Sequence, residues 1–245
     1  MDIETMKQLI KKYEPGHAAF VTRAAVAERY YRNETDILFR DKPKEEKEEA
    51  DNPLRNADNR IPRNFHGLIV NQKASYAFTA PPLFDVGSTT SNKRITEALG
   101  DEYAKNCMEL CINAANASIG WVHYWQGENG FEWAVVPSAQ IIPVFNRSLK
   151  RRLIGTMRVY PDIDENTGDN YTVYEYWTDT ECQAFRRRTG DALDLLTYYD
   201  MFAYPDSGDM AASYRHDFGE VPFIPFYNNN IHTDYLRNIM PMIVV

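Results

Sequence analysis

The run PDIDENTGDN at residues 161–170 has the residue types of a divalent-cation loop. Asp162, Asp164 and Asn166 would place oxygen ligands at alternating positions, with Asp169 and Asn170 close behind. The spacing departs from a calcium loop at two points. Gly168 comes one place late for the sharp turn, and Val173 stands where a closing bidentate glutamate is needed. The expected reading is a hairpin turn whose acidic side chains keep it in water. Cys107 and Cys111, four apart on an expected helix, share one face and offer part of a thiolate metal site. No paired Cys or His motif completes that site, so both are expected to pack as small apolar side chains.

The histidines are His17, His66, His123, His216 and His232, and none belongs to an HxH or HExxH pattern. His123 lies in WVHYW, among aromatic neighbours and without a carboxylate partner nearby in the sequence. Ser118, Ser138 and Ser148 lack a G-x-S-x-G elbow. GENG at 127–130 lacks the Lys and Ser or Thr that a phosphate loop requires. The sequence therefore assigns no catalytic residue, no metal ligand and no cofactor, and an enzyme is not expected. Basic residues do cluster. Arg60, Arg63 and Lys73 flank one expected helix, Lys150, Arg151 and Arg152 fall between strands, and Arg186, Arg187 and Arg188 form a second triplet. Such groups could contact phosphates or the carboxylates of a partner subunit. Solvated turns and strand ends account for them equally well.

The elements that position these residues follow from hydrophobic period. Residues 3–14 read as a short helix with Met6, Leu9, Ile10 and Tyr13 on one side, interrupted at Gly16; a second helix runs from Phe20 to Tyr31. Residues 1–40 thus form a helical segment, and 41–58 a charged, exposed linker with almost nothing to bury. From Asn64 to Phe78, the positions Phe65, Leu68, Ile69, Ala74, Tyr76 and Phe78 fit a helix giving way to an extended piece, and Pro81 and Pro82 stop regular structure. Residues 92–116 read as one long helix with a weak point at Gly100, burying Ile95, Leu99, Tyr103, Cys107, Leu110 and Cys111. From Ala117 the period changes to short aromatic and branched runs: SIGWVHYW, GFEWAVVP, AQIIPVF, LIGTMRVY, YTVYEYW, CQAFRR and YYDMFAY. Helices first and strands second predict an α+β fold with a mainly antiparallel sheet.

Composition sets the outer bounds. At 245 residues and 44% apolar, the chain can bury one sizeable core, or a main body with a smaller helical appendage. Its formal net charge of -8 argues against tight non-specific binding to a nucleic-acid backbone. An odd cysteine count, three, favours a reducing compartment. The N-terminus has no signal-peptide apolar region, and no apolar run is long enough to span a membrane.

Several pieces, taken in order, resemble the portal proteins of tailed double-stranded-DNA bacteriophages. YYRNETDIL looks like that family's YY-x-G-x-x-x-I element. NRIPRNFHGLIVNQKASYAFTAPP resembles its Asn-x-Ile segment followed by an Ile-Val-x-x-Lys helix and a Pro-terminated turn, with Thr79 and Ala80 where relatives often carry Gly. WAVVPSAQIIPVF, from Trp133 to Phe145, resembles a strand pair feeding an Ile-Ile-Pro-Val run. VPFIPFYNNN, from Val221 to Asn230, looks like the closing Pro-aromatic-Asn-Asn signature.

The resemblance implies a non-catalytic structural subunit of a homo-oligomeric, usually dodecameric, ring at one capsid vertex. It implies a channel for DNA packaging and ejection, with DNA passing without sequence-specific binding. Terminase, scaffold or capsid protein and head-completion proteins are the implied partners, with no membrane involved. The implied location is the portal vertex of the virion or, for unincorporated chain, the cytoplasm of the bacterial host. Residues 59–230 would be the wing-like α+β domain, and 231–245 the start of a stem helix, interrupted at Pro241. A truncated portal lacking stem and clip is therefore expected. A small non-catalytic protein-binding or adaptor module, using the aromatic sheet as an exposed patch, is the rival reading.

Overall fold

The computed structural model describes residues 1–39, 61–80, 82–127, 130–204 and 208–243. The expected linker at 41–58 lies outside the described residues, as does Arg60.

The N-terminal helix α1 runs unbroken over Ile3–Tyr31, 29 residues, with Asp2 capping it through a hydrogen bond accepted from the Thr5 amide. This corrects the expectation of two helices separated at Gly16. Pro15 and Gly16 both lie inside the helix, on its exposed side. A proline there removes one helical hydrogen bond and crowds the preceding turn. The helix continues because one face is held along its whole length. Met6 and Ile10 are buried in one core cluster, and Ala27 and Tyr30 in another. Between them His17 Nε2 donates to the Ala139 carbonyl at 2.7 Å. After the helix, Asp36 accepts from Arg29 and from the Tyr30 hydroxyl, which fixes the exit of the chain.

Among the described residues three further α-helices precede the strands: α2 Phe65–Ala77, α3 Thr89–Leu99 and α4 Tyr103–Ala117. The expected single helix over 92–116 is divided. Gly100, at φ 76°, ends α3 in a conformation that side chains with a Cβ rarely adopt. Helix α2 presents the opposite face from the one its apolar residues suggest. His66, Gly67, Val70 and Ala74 are buried, while Phe65, Leu68, Ile69 and Tyr76 are exposed. The small residues allow close packing against α4, and His66 is tied to Asn116 of that helix at 2.9 Å.

Among the described residues the strands form two antiparallel sheets and a small ribbon rather than one sheet. Strands β1 (Ile119–Gly127) and β2 (Gly130–Val136) make a hairpin. Pro137 and a 3-10 turn at Ser138–Gln140 then redirect the chain. Strands β3 (Ile141–Phe145), β4 (Leu153–Ile163), β5 (Asn170–Trp177) and β6 (Glu181–Arg188) follow as a meander. The YYDMFAY run supplies parts of two short strands, β7 (Thr197–Tyr198) and β8 (Phe202–Ala203). After β9 (Met210–Ala211), β10 (Ser213–Arg215) joins β6, giving the order β10-β6-β5-β4-β3 with β7 also on β6. Strand β11 (Phe223–Tyr227) returns to β1, giving β11-β1-β2. A last helix, α5 (Leu236–Ile243), packs Leu236 against Ala27 and Tyr30 of α1 and runs through Pro241, which corrects the expected interruption there.

Continuity of α1 is testable at Gly16, where an added Cβ meets nothing within 4 Å. In an exposed helix interior, Gly16→Ala should raise the unfolding free energy by about 0.5–1 kcal/mol. Denaturant unfolding reads this directly. A helix broken at Gly16 would show no gain.

Candidate interaction surfaces

Helix α4 lies across β1, and the approach is close because position 120 is glycine. A Cβ there would sit 2.8 Å from the Leu110 carbonyl oxygen and 2.9 Å from Leu110 Cδ1. Beside this contact, the α3–α4 corner and the ends of α2 and β11 enclose an apolar groove of about 570 Å³. Its floor carries Val122, Phe131, Trp133 and Phe226. Trp133 Nε1 donates to the Leu99 carbonyl at 3.0 Å, and Tyr103 meets the Trp133 ring edge-on at 6.1 Å. Cys107 and Cys111 line the wall, where burial pushes both thiols up from their usual range. They are poor nucleophiles at neutral pH. Among the described residues, no group of three His, Cys, Asp or Glu side chains is placed to hold a metal ion.

At one end of the groove the asparagine run forms a fastened joint. The Asn229 side chain accepts from the Ile231 and Thr233 amides, both at 3.1 Å, and donates to the Thr233 carbonyl at 2.9 Å. Asn228 donates to the same carbonyl and accepts from Lys73 Nζ at 2.8 Å. The Asn228 amide bonds the Ser118 carbonyl, and the Tyr235 amide bonds the Ala115 carbonyl. The joint thus ties α2, the end of α4, β11 and the start of α5 together. Asp234 then caps α5 through the Arg237 amide.

The family profile described as "Phage portal protein, SPP1 Gp6-like" matches residues 10–243. That stretch runs from the N-terminal helix through both sheets and the joint into α5. The chain belongs to the phage portal protein family. Portal proteins are structural and non-catalytic. The portal protein of Clostridium phage phiCD119 is 33% identical over 245 aligned residues, covering 94% of this chain and 50% of that protein. The portal protein of Bacillus phage SPP1 is 26% identical over 175 residues, covering 70% of this chain and 34% of that protein. The chain therefore spans about half the length, or less, of these portal relatives.

Among the described residues, the basic residues singled out in the sequence do not form one patch in this portal-family chain. Arg63 is exposed ahead of α2, and Lys73 is engaged by Asn228 and by the Tyr235 ring, 4.7 Å from its centroid. Arg186 pairs with Asp164 at 3.5 Å and stacks over Tyr171 and Tyr199. Arg187 donates to the Tyr174 hydroxyl, and Arg188 pairs with Asp169. The cation-loop-like run is the β4–β5 turn, and two of its acids are held by these arginines. Lys150, Arg151 and Arg152 remain exposed at the β3–β4 tip.

His123 belongs to the seam between the sheets. Its ring stacks on Phe223 at 4.3 Å and meets Trp177 edge-on at 4.6 Å, and Nδ1 donates to the Pro222 carbonyl at 2.8 Å. Beside it Glu175, only 3% exposed, accepts from Trp177 Nε1 at 2.9 Å and pairs with Arg158 at 3.2 Å. Sequence reasoning missed Glu175 and Arg158, since their pairing depends on the β4–β5 register.

Burial, helped to a smaller degree by the nearby Arg158 and His216, depresses His123 to about 4; His66 and His216 are also lowered by burial. The native ring stays neutral while the unfolded one protonates near its ordinary value of about 6.5. Stability is therefore full above that value and is lost as pH falls toward 4. Between pH 7 and about pH 4.5 the unfolding free energy should drop by roughly 2–3 kcal/mol on His123's account. Denaturant titrations across that range check this. His123→Phe should flatten the slope, and an unchanged slope would remove His123 as its source.

Proposed function

We propose that the chain serves as a structural subunit of a portal ring at one capsid vertex, contributing to the channel through which DNA is packaged and later released. The observation that carries this reading is the family match across residues 10–243. It takes in the joint at Asn228–Asn229, so that the likeness extends beyond a single motif. On this reading residues 59–230 are the wing-like body, and α5 begins the stem that turns inward toward the channel. Terminase, scaffold or capsid protein and head-completion proteins are the partners. DNA passes without sequence-specific contact, in keeping with the net charge of -8.

The rival adaptor reading predicts a monomer unrelated to capsid geometry. Gold-labelled antibody against this chain, applied to opened virions of the phage that encodes it, separates the two. Label confined to one vertex per capsid is the expected result. Label on many vertices, or none on any capsid, would contradict a portal role.

A further inference from the structure

The apolar groove beside α4 has an unmatched counterpart elsewhere on the same chain. At the β3–β4 tip Leu149 is fully exposed, and the segment from Arg147 to Arg152 carries four cations and no carboxylate. Arg147, Lys150, Arg151 and Arg152 make no ion pair with any described residue. The tip is ordered by its own bonds. The Asn146 amide bonds the Arg152 carbonyl at 3.0 Å, Asn146 Oδ1 accepts from the Arg152 amide and from Ser148 Oγ, and Arg151 stacks on Phe145. A leucine held out in water on a preorganised turn costs little further ordering on binding.

The groove offers the opposite character. Its apolar volume of about 570 Å³ exceeds what one leucine needs and leaves room for the aliphatic stems of flanking cations. Exposed carboxylates stand at its margin. Asp85 follows the lining residue Phe84, Asp101 and Glu102 lie between the lining residues Leu99 and Tyr103, and Glu220 accepts from the Tyr124 hydroxyl at 3.3 Å. Lys73 at the far end and Lys105 beside Glu102 are the opposing cations. The tip closes a hairpin of the six-stranded sheet, whereas the groove lies on the three-stranded sheet.

We propose that the Leu149 tip of one copy seats in the α4 groove of the next. The contact is heterologous, with different surfaces on the two copies, which is the type that generates rings when the rotation closes. The proposal rests on the portal reading and adds the surfaces through which copies meet. Leu149 is the anchor, Lys150, Arg151 and Arg152 face the acidic margin, and Cys107 and Cys111 lie under the inserted leucine.

Those two cysteines make the contact readable. In Leu149→Cys, diamide at mildly alkaline pH activates the exposed introduced thiol. Cys107 or Cys111 of the next copy, ionised under those conditions, completes the disulfide, giving a ladder of dimers and larger species on non-reducing gels. Adding Cys107→Ser and Cys111→Ser should abolish the ladder. Cys182, fully buried, does not compete. A disulfide-linked dimer that survives both serine changes reports tip-to-tip contact and would overturn the proposal, as would the absence of any ladder. In parallel, Leu149→Asp should weaken self-association by roughly 30-fold, the loss of one anchor side chain. Unchanged association would also overturn it. If the wild-type chain assembles while Leu149→Cys gives no ladder, the docking surfaces are wrong and the portal reading is untouched. Vertex labelling of virions tests that reading separately.

Discussion

The fold depends on one helix remaining continuous across a residue that disfavours it. Helix α1 carries Pro15 in its interior, yet it reaches from the core of the six-stranded sheet, through Met6 and Ile10, to the α5 contact at Ala27 and Tyr30. Burial at both ends outweighs the local cost of the proline, about 3 kcal/mol relative to alanine. Without this strut, the two sheets would meet only at their own seam. With it, the six-stranded sheet, the helical layer and α5 are held by one rigid rod, and the surfaces on each keep fixed relative positions.

The second constraint is the seam itself. Trp177 enters from the six-stranded sheet and packs against His123 and Phe223 of the three-stranded sheet. Its indole donates to the buried Glu175, which is paired in turn with Arg158. Only Glu175 of this pair is buried, with Arg158 partly in water. The pair therefore adds little net stability against an apolar alternative, but removing Arg158 leaves a buried uncompensated charge. Its effect here is to fix how β5 faces β1. The β3–β4 tip and the α4 groove lie on different sheets, so that orientation sets where they stand relative to each other, and the joint at Asn228–Asn229 sets where α5 departs.

Much of this is legible in the sequence, and the misses have physical causes. The strand runs from Ile119 to Arg188 and the α+β order are readable because aromatic and branched residues are grouped between turns. A break at Gly16 is what local propensity at Pro15 and Gly16 suggests, and it is wrong. Met6, Ile10, Tyr13, His17, Phe20, Ala24 and Ala27 keep alternating steps of four and three straight through it, and that period prevails. The facing of α2 escapes a sequence reading, because its buried side is made of Gly67, Val70, Ala74 and a hydrogen-bonded histidine, while its bulky residues stay outside. The apolar groove is half visible. Leu99, Tyr103, Cys107, Leu110 and Cys111 stand out as one face, but the closing of β11 beside β1 has no local signal.

Ring formation by this chain is tested most directly by native mass spectrometry of the purified protein over a range of concentrations. A portal subunit should give a closed assembly of one stoichiometry that grows at the expense of monomer, without open-ended larger species. A strictly monomeric chain at every concentration would contradict it.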